Sequence, residues 1–201
     1  MPRWLLIALA TSVALLAVLV GVFVLVPPAD RPGSQAQETV PIGGPFSLVD
    51  QDGRRVSEQD FRGRFMLVYF GYTYCPDVCP LGLQTVAAAI DALPPELQER
   101  VAPVFVTVDP ARDTPAVLRD YVGQFHPRLV GLTGSETEVA EALRAWRVYV
   151  RKAEPQDGSY LVDHSTFTYL MNPDGSYAAH FGHATTAEEM AKRLEEVLRA
   201  G

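Results

Sequence analysis

The chain is poor in metal-binding and cross-linking side chains, with two cysteines and four histidines among 201 residues. Two cysteines exclude a disulfide-rich scaffold and a four-thiolate zinc site. Cations are not in excess either: Lys plus Arg is 17 and Asp plus Glu is 24, for a net charge of −7. That balance argues against a nucleic-acid binder, whose surface must neutralise phosphates and displace their counterions. Charged residues make up only 20% against 48% hydrophobic, so the chain is not a disordered tail. Internal repeats and low-complexity tracts are also missing. The length suits one domain with an appendage.

The apolar residues are unevenly spread. Trp4 to Val26 is an unbroken uncharged run. As a helix at about 1.5 Å per residue it spans roughly 35 Å, against roughly 30 Å of bilayer hydrocarbon. A signal-peptide core is shorter, at about 7 to 15 residues, and ends at a small-x-small site. Val26-Pro27-Pro28-Ala29 is a poor match to one. The run is therefore read as a transmembrane anchor over residues 4–26, followed by a Pro-, Gly- and Ser-containing linker over 27–40 and a soluble domain over 41–201. Arg3 and the amino terminus lie before the run, Asp30 and Arg31 after it. The positive-inside bias puts the amino terminus in the cytoplasm and the domain outside. No basic transit peptide precedes the anchor, which favours a bacterial inner membrane, with the domain in the periplasm.

Beyond residue 41 the periodicity alternates. Phe46–Asp50 and Arg54–Ser57 flank Gln51-Asp52-Gly53, a hairpin signal. Phe65–Phe70 and Val104–Val108 are continuous apolar runs, as in buried strands, and Leu129–Leu132 is a short strand. Pro80–Ala92 reads as a helix halted by Pro94-Pro95. Thr114–Phe125 is helical, with Thr114 as N-cap and Pro115 at the first helical position. Ser135-Glu136-Thr137-Glu138 is a capping box opening a helix through Ala145. A second hairpin joins Thr166–Met171 to Ser176–Phe181, and a helix over Thr186–Ala200 closes the chain. This pattern predicts an α/β mixed sheet covered on both faces.

Both cysteines lie in Tyr74-Cys75-Pro76-Asp77-Val78-Cys79-Pro80, after a buried strand and at the opening of a helix. Open α/β sheets place their sites at this carboxyl edge. Pro80 lacks an N–H, so the helix is expected to begin there with Cys79 as N-cap. The helix dipole favours a thiolate at that position. A disulfide closing so small a loop removes only about 2 kcal/mol of unfolded-state entropy, a weak staple. Metal chelation and redox exchange remain as readings. A third ligand must come from His126, His164, His180 or His183, and spacing alone selects none of them. His126 reads as a turn residue before Pro127, and His180 with His183 as a weak second metal pair. Two thiolates and an imidazole suit Cu(I), with Cu(II) also accessible.

Four ordered motifs carry a resemblance. Gly71-Tyr72-Thr73-Tyr74-Cys75-Pro76-Asp77-Val78-Cys79-Pro80, Val108-Asp109-Pro110-Ala111-Arg112-Asp113-Thr114-Pro115, Val130-Gly131-Leu132-Thr133-Gly134 and Val162-Asp163-His164-Ser165 resemble the signature of the Sco/SenC copper chaperones. Tyr169–Gly175 fits as well. The resemblance implies a thioredoxin-like mixed sheet flanked by helices, with an added hairpin. It implies one copper ion, Cu(I) or Cu(II), on Cys75, Cys79 and His164. It places Asp109 near the metal, supporting the ligands from outside. Asp109 and Asp113 also read as plain turn and capping residues. Tyr74 stands where many relatives have His, removing one auxiliary ligand. The implied partner is the copper-bearing subunit of cytochrome c oxidase, with other periplasmic copper chaperones or thioredoxin-like reductants as further partners. The implied work is copper delivery or cysteine reduction at the binuclear copper site, and not turnover as an enzyme beyond a thiol-disulfide reductase side role. A Cys75–Cys79 disulfide is the expected metal-free form in an oxidising compartment. The alternative is a membrane-tethered thiol-disulfide oxidoreductase, against which three residues rather than two between the cysteines count. A copper or redox sensor is a third class, and a peroxidase the weakest.

Overall fold

The computed structural model describes residues 42–154 and 159–201, with Leu16 alone before them. The expected anchor at 4–26 and linker at 27–40 lie outside these residues, Leu16 apart. Among the described residues no helix is long and apolar enough to cross a membrane.

The strands are β1 (Ser47–Asp50), β2 (Arg55–Ser57), β3 (Phe65–Gly71), β4 (Val101–Thr107), β5 (Val130–Thr133), β6 (Val150–Lys152), β7 (Val162–His164), β8 (Thr168–Met171) and β9 (Tyr177–Phe181). The helices are α1 (Val78–Asp91), α2 (Pro95–Gln98), α3 (Pro115–Val122), α4 (Glu136–Ala145) and α5 (Ala187–Ala200), with a 3₁₀ turn at Glu58–Phe61. Seven strands form one sheet in the order β2-β1-β5-β4-β3-β8-β9. β3, β4 and β5 run parallel, and β8 enters antiparallel beside β3. β6 and β7 form a separate two-stranded ribbon, the added hairpin.

Every residue of β3 and β4 is buried, as continuous apolar strands at a sheet centre must be. Phe65 and Leu67 pack with α1 and α5 through Ile90, Met190 and Leu194. Met66, Val68 and Phe70 face the other layer, where Leu118, Val139 and Trp146 cover them. The sheet is thus sandwiched between helices, which is the thioredoxin-like arrangement expected.

Both signalled hairpins form, β1 with β2 and β8 with β9. Thr114, Ser135 and Thr186 cap their helices as their sequences require. Several boundaries shift by one to three residues. β4 begins at Val101 rather than Val104, because Pro103 is accommodated opposite Leu67 in the parallel ladder. α3 ends at Val122, with Gly123 as C-cap, rather than reaching Phe125. α1 begins at Val78 rather than Pro80, and Asp77, not Cys79, is the N-cap. The first four N–H groups of a helix have no intrahelical acceptor, so a proline at the third position costs no hydrogen bond.

Candidate metal centre

β3 delivers the chain to its carboxyl edge at Gly71, and the loop that follows is tied down at once. Val108 N–H donates to the Gly71 carbonyl at 2.8 Å. The Thr73 amide and hydroxyl donate to Asp113 at 3.1 and 2.6 Å, and Thr107 donates its hydroxyl to the same carboxylate at 2.5 Å. Asp113 is fully buried, and burial pushes its carboxyl pKa up against the pull of these donors. The loop then turns into α1 through Cys75, whose amide donates to the Tyr72 carbonyl at 3.2 Å.

Within α1 the first turn points Cys79 inward. A Cβ on Gly71 would stand 3.0 Å from Cys79 Sγ and 3.0 Å from the Phe105 ring. Gly71 thus leaves the room that this sulfur occupies. Both thiols are buried, Cys79 at 0% exposed and Cys75 at 8%. Both are free thiols. Cys75 alone of the two lines a cleft of about 300 Å³, shared with Tyr72, Val78, Leu161 and His164.

His164 arrives from the far side of the sequence. β8 runs antiparallel to β3 with Thr168 opposite Tyr69, so the segment before β8 lies over the edge that carries the cysteines. His164 is the last residue of β7 and lies just ahead of β8. Its Nε2 stands 3.3 Å from Cys79 Sγ. Its Nδ1 lies 2.8 Å from the Ser165 carbonyl. A carbonyl only accepts, so Nδ1 carries a proton, and Nε2 is the nitrogen turned toward the sulfurs. One ligand atom from each of Cys75, Cys79 and His164 falls within 4.8 Å of the other two, the single such group of three among the described residues.

The two thiols divide one proton. Cys75 is pulled down to about 4, chiefly because the Cys79 thiol donates to it, aided by His164 and by backbone N–H groups at the helix start. The Cys79 amide contributes at 3.4 Å. Cys79 is pushed up because it holds the shared proton, and burial adds to this. An imidazole nitrogen, a thiolate and a thiol, whose proton a metal must displace, form a soft donor set.

Asp109 is buried but touches none of the three ligands. It takes Arg112 Nε, the Tyr160 hydroxyl at 2.8 Å and Lys152 Nζ at 3.8 Å. Its link to the site runs through those neighbours. His126 opens the expected turn through Pro127, its carbonyl accepting from the Leu129 amide at 3.0 Å. It is buried, lies 3.5 Å from Asp91, and its Nδ1 accepts from the Arg128 amide at 3.1 Å. His180 pairs with the Tyr177 hydroxyl at 2.5 Å, and neither it nor His183 belongs to a group of three metal-ligating side chains among the described residues. Sequence reasoning missed Tyr72, whose ring stands edge-on to His164 at 5.8 Å and whose oxygen accepts from Val162 N–H at 3.2 Å. It also missed that Asp113 pins Thr73. Both residues stood inside the quoted motifs, yet nothing in the spacing said they would meet.

Comparison with known proteins agrees with this geometry. A profile of the SCO1/SenC family matches residues 34–199. Protein sco1 of Schizosaccharomyces pombe is 44% identical over 156 residues, covering 76% of this chain and 59% of that protein. A SCO2-like protein of Rickettsia prowazekii is 38% identical over 156 residues, 77% of this chain and 76% of its own length. The chain thus spans little more than half of the fission-yeast relative. The crystal structure of Arabidopsis thaliana ScoI with copper bound superposes with a TM-score of 0.74 at 43% identity, covering 80% of this chain and 99% of that one.

Proposed function

The chain belongs to the SCO1/SenC family, and on that premise we propose that it is a membrane-anchored copper carrier that serves the binuclear copper site of cytochrome c oxidase. The observation that carries the reading is the convergence of two sulfurs and one imidazole nitrogen within 4.8 Å. Cys75, Cys79 and His164 hold one copper ion, as Cu(I) or Cu(II). Copper is cargo here, and the chain's own groups do the handling. Cys75, already ionised and open to the cleft, offers the first sulfur. Cys79 then gives up the proton it shares with Cys75, and His164 supplies Nε2. The apolar run at 4–26 tethers the domain in a bacterial inner membrane, facing the periplasm, where the copper-bearing oxidase subunit is the recipient. Asp109 supports the site from beyond the ligands.

The split acidity of the thiols favours a second reading at the same site. The Cys75 thiolate attacks a disulfide of the recipient, forming a mixed disulfide and releasing one recipient sulfur as a thiolate, which takes the Cys79 proton. The Cys79 thiolate attacks Cys75, releasing the second recipient sulfur as a thiolate that solvent can protonate, and leaving a Cys75–Cys79 disulfide. Two electrons pass to the recipient. This is the tethered thiol-disulfide oxidoreductase.

Copper analysis of the reduced full-length chain separates the readings. We expect one copper per chain, and about tenfold or greater weakening in His164→Ala, with thiol exchange retained. Copper binding by His164→Ala equal to wild type rejects the ligand assignment. Absence of copper from the wild-type chain, with exchange intact, selects the oxidoreductase.

A further inference from the structure

His164 sits on a ribbon that shares no ladder with the main sheet. Two-stranded ribbons are marginal alone in water, so something must hold this one in place. The β6–β7 register pairs His164 with Val150, and the Arg151–Asp163 ion pair at 2.7 Å between the strands is exposed. Exposed pairs contribute little. The ties to the rest of the domain are more telling, because they converge on one arginine.

Arg112 follows β4 and is largely buried, with 17% of its side chain exposed. Its Nε donates to Asp109, whose side chain is fully buried. Its Nη1 donates to the Tyr160 carbonyl at 3.0 Å. Its guanidinium lies 3.7 Å from the centre of the Tyr160 ring, 4.8 Å from that of Tyr74 and 5.6 Å from that of Tyr72. Asp109 returns the contact by accepting the Tyr160 hydroxyl at 2.8 Å. The same carboxylate draws Lys152 of β6 to 3.8 Å. Tyr160 stands two residues before β7 and four before His164. One clasp therefore holds both strands of the ribbon, and through Tyr72 and Tyr74 it also abuts the loop that carries Cys75.

We propose that Arg112, braced by Asp109 and Tyr160, is the positioning residue that presses the β6–β7 ribbon onto the metal edge and sets how well His164 reaches copper. Arg112 touches none of the three ligands, so its effect passes through the ribbon. The thiolates are held independently by the Asp113 anchor and by α1. Opening the clasp would withdraw the imidazole and leave a two-thiolate site, which is the state from which a recipient can add its own third ligand.

The inference rests on the copper reading above, and a metal-free measurement keeps the two separable. In the reduced, copper-free full-length chain, Arg112→Gln should raise amide exchange at Val162 and Ala153 about tenfold while Leu67 and Val106 stay protected. With copper, Arg112→Gln should weaken Cu(II) binding about tenfold and reduce the nitrogen coupling in the Cu(II) paramagnetic resonance spectrum. In a His164→Ala background the same change should have no further effect, since the coupling is then absent. Tyr160→Phe, which deletes one hydroxyl, should show the same pattern with smaller amplitude and serves if Arg112→Gln fails to fold. Equal losses with and without His164, or unchanged exchange at Val162 in both variants, would overturn the proposal. A wild-type chain that binds no copper but shows the exchange effect leaves the clasp standing and rejects the copper reading.

Discussion

The cysteine loop and the histidine ribbon reach the same point by opposite means. The loop leaves a fully buried strand of the sheet and enters a helix, and a fully buried carboxylate ties down Thr73 on the way. The ribbon stands outside the sheet and is held by side chains, above all Arg112 and Tyr160. Two ligands are thus part of the core, and the third is carried on an attachment. A site that must both hold and surrender an ion gains from such a division, because one ligand can leave without disturbing the other two.

The largest expected contrast lies within the loop itself. Cys75 is depressed, so it is ionised above a pH of about 4 and protonated below it. Cys79 is raised and stays protonated through neutrality. Thiolate absorbance near 240 nm in the reduced, copper-free chain should therefore show one thiolate at pH 6, lost as pH falls through about 4. Cys75→Ser should abolish that step. Alkylation rate is a poorer readout. Against an ordinary thiol, Cys75 gains roughly 300-fold in thiolate fraction at pH 6 but loses about 100-fold in nucleophilicity. Two thiols titrating together near the ordinary value would erase the distinction between them.

Next in size is the anchor of the loop. Asp113→Ala orphans the Thr73 amide and hydroxyl and the Thr107 hydroxyl. Leaving buried donors unpaired costs about 1–3 kcal/mol. For a domain of this size that lowers Tm by roughly 2–4 °C per kcal/mol. Copper affinity should fall as well, because both sulfurs depend on the loop. Asp113→Asn keeps an acceptor oxygen and should recover about half of the loss. Unchanged Tm in Asp113→Ala, followed by differential scanning calorimetry, would mean the loop is held by something other than this carboxylate.

The same division governs what could be read from the sequence. Phe65–Phe70 announced a buried strand, and Ser135 with Glu138 announced a helix start, because each signal is local and each partner lies within a few residues. The start of α1 was misplaced for a local reason too: a first-turn proline is tolerated at several positions, and Pro80 did not say which one it held. His164 was different. Its nitrogen meets a sulfur 85 positions away, and only the antiparallel entry of β8 beside β3 brings them together. Neither periodicity nor spacing carries that information, and so the resemblance, not the chemistry of any single stretch, singled it out among four histidines. The strands β6 and β7 gave no signal of their own. Each is three residues long, partly exposed and stabilised mainly by contacts to other elements.

The smallest expected effect falls where loop and ribbon touch. Tyr72, the first residue after β3, accepts Val162 N–H on the ribbon at 3.2 Å, and its ring stands edge-on to His164. Tyr72→Phe keeps the ring and removes only the acceptor, at a cost of about 1 kcal/mol for one buried N–H left unpaired. Loop and sulfurs have other anchors, so the Cys75 titration should not move. The ribbon loses one of several ties, so amide exchange at Val162 should rise about fivefold while Leu67 stays protected. A displaced Cys75 titration without faster exchange at Val162 would mean that Tyr72 serves the thiolate rather than the ribbon. The two ligand groups would then share a support, and the division between core-held sulfurs and a ribbon-held imidazole would fail at a residue that contacts both.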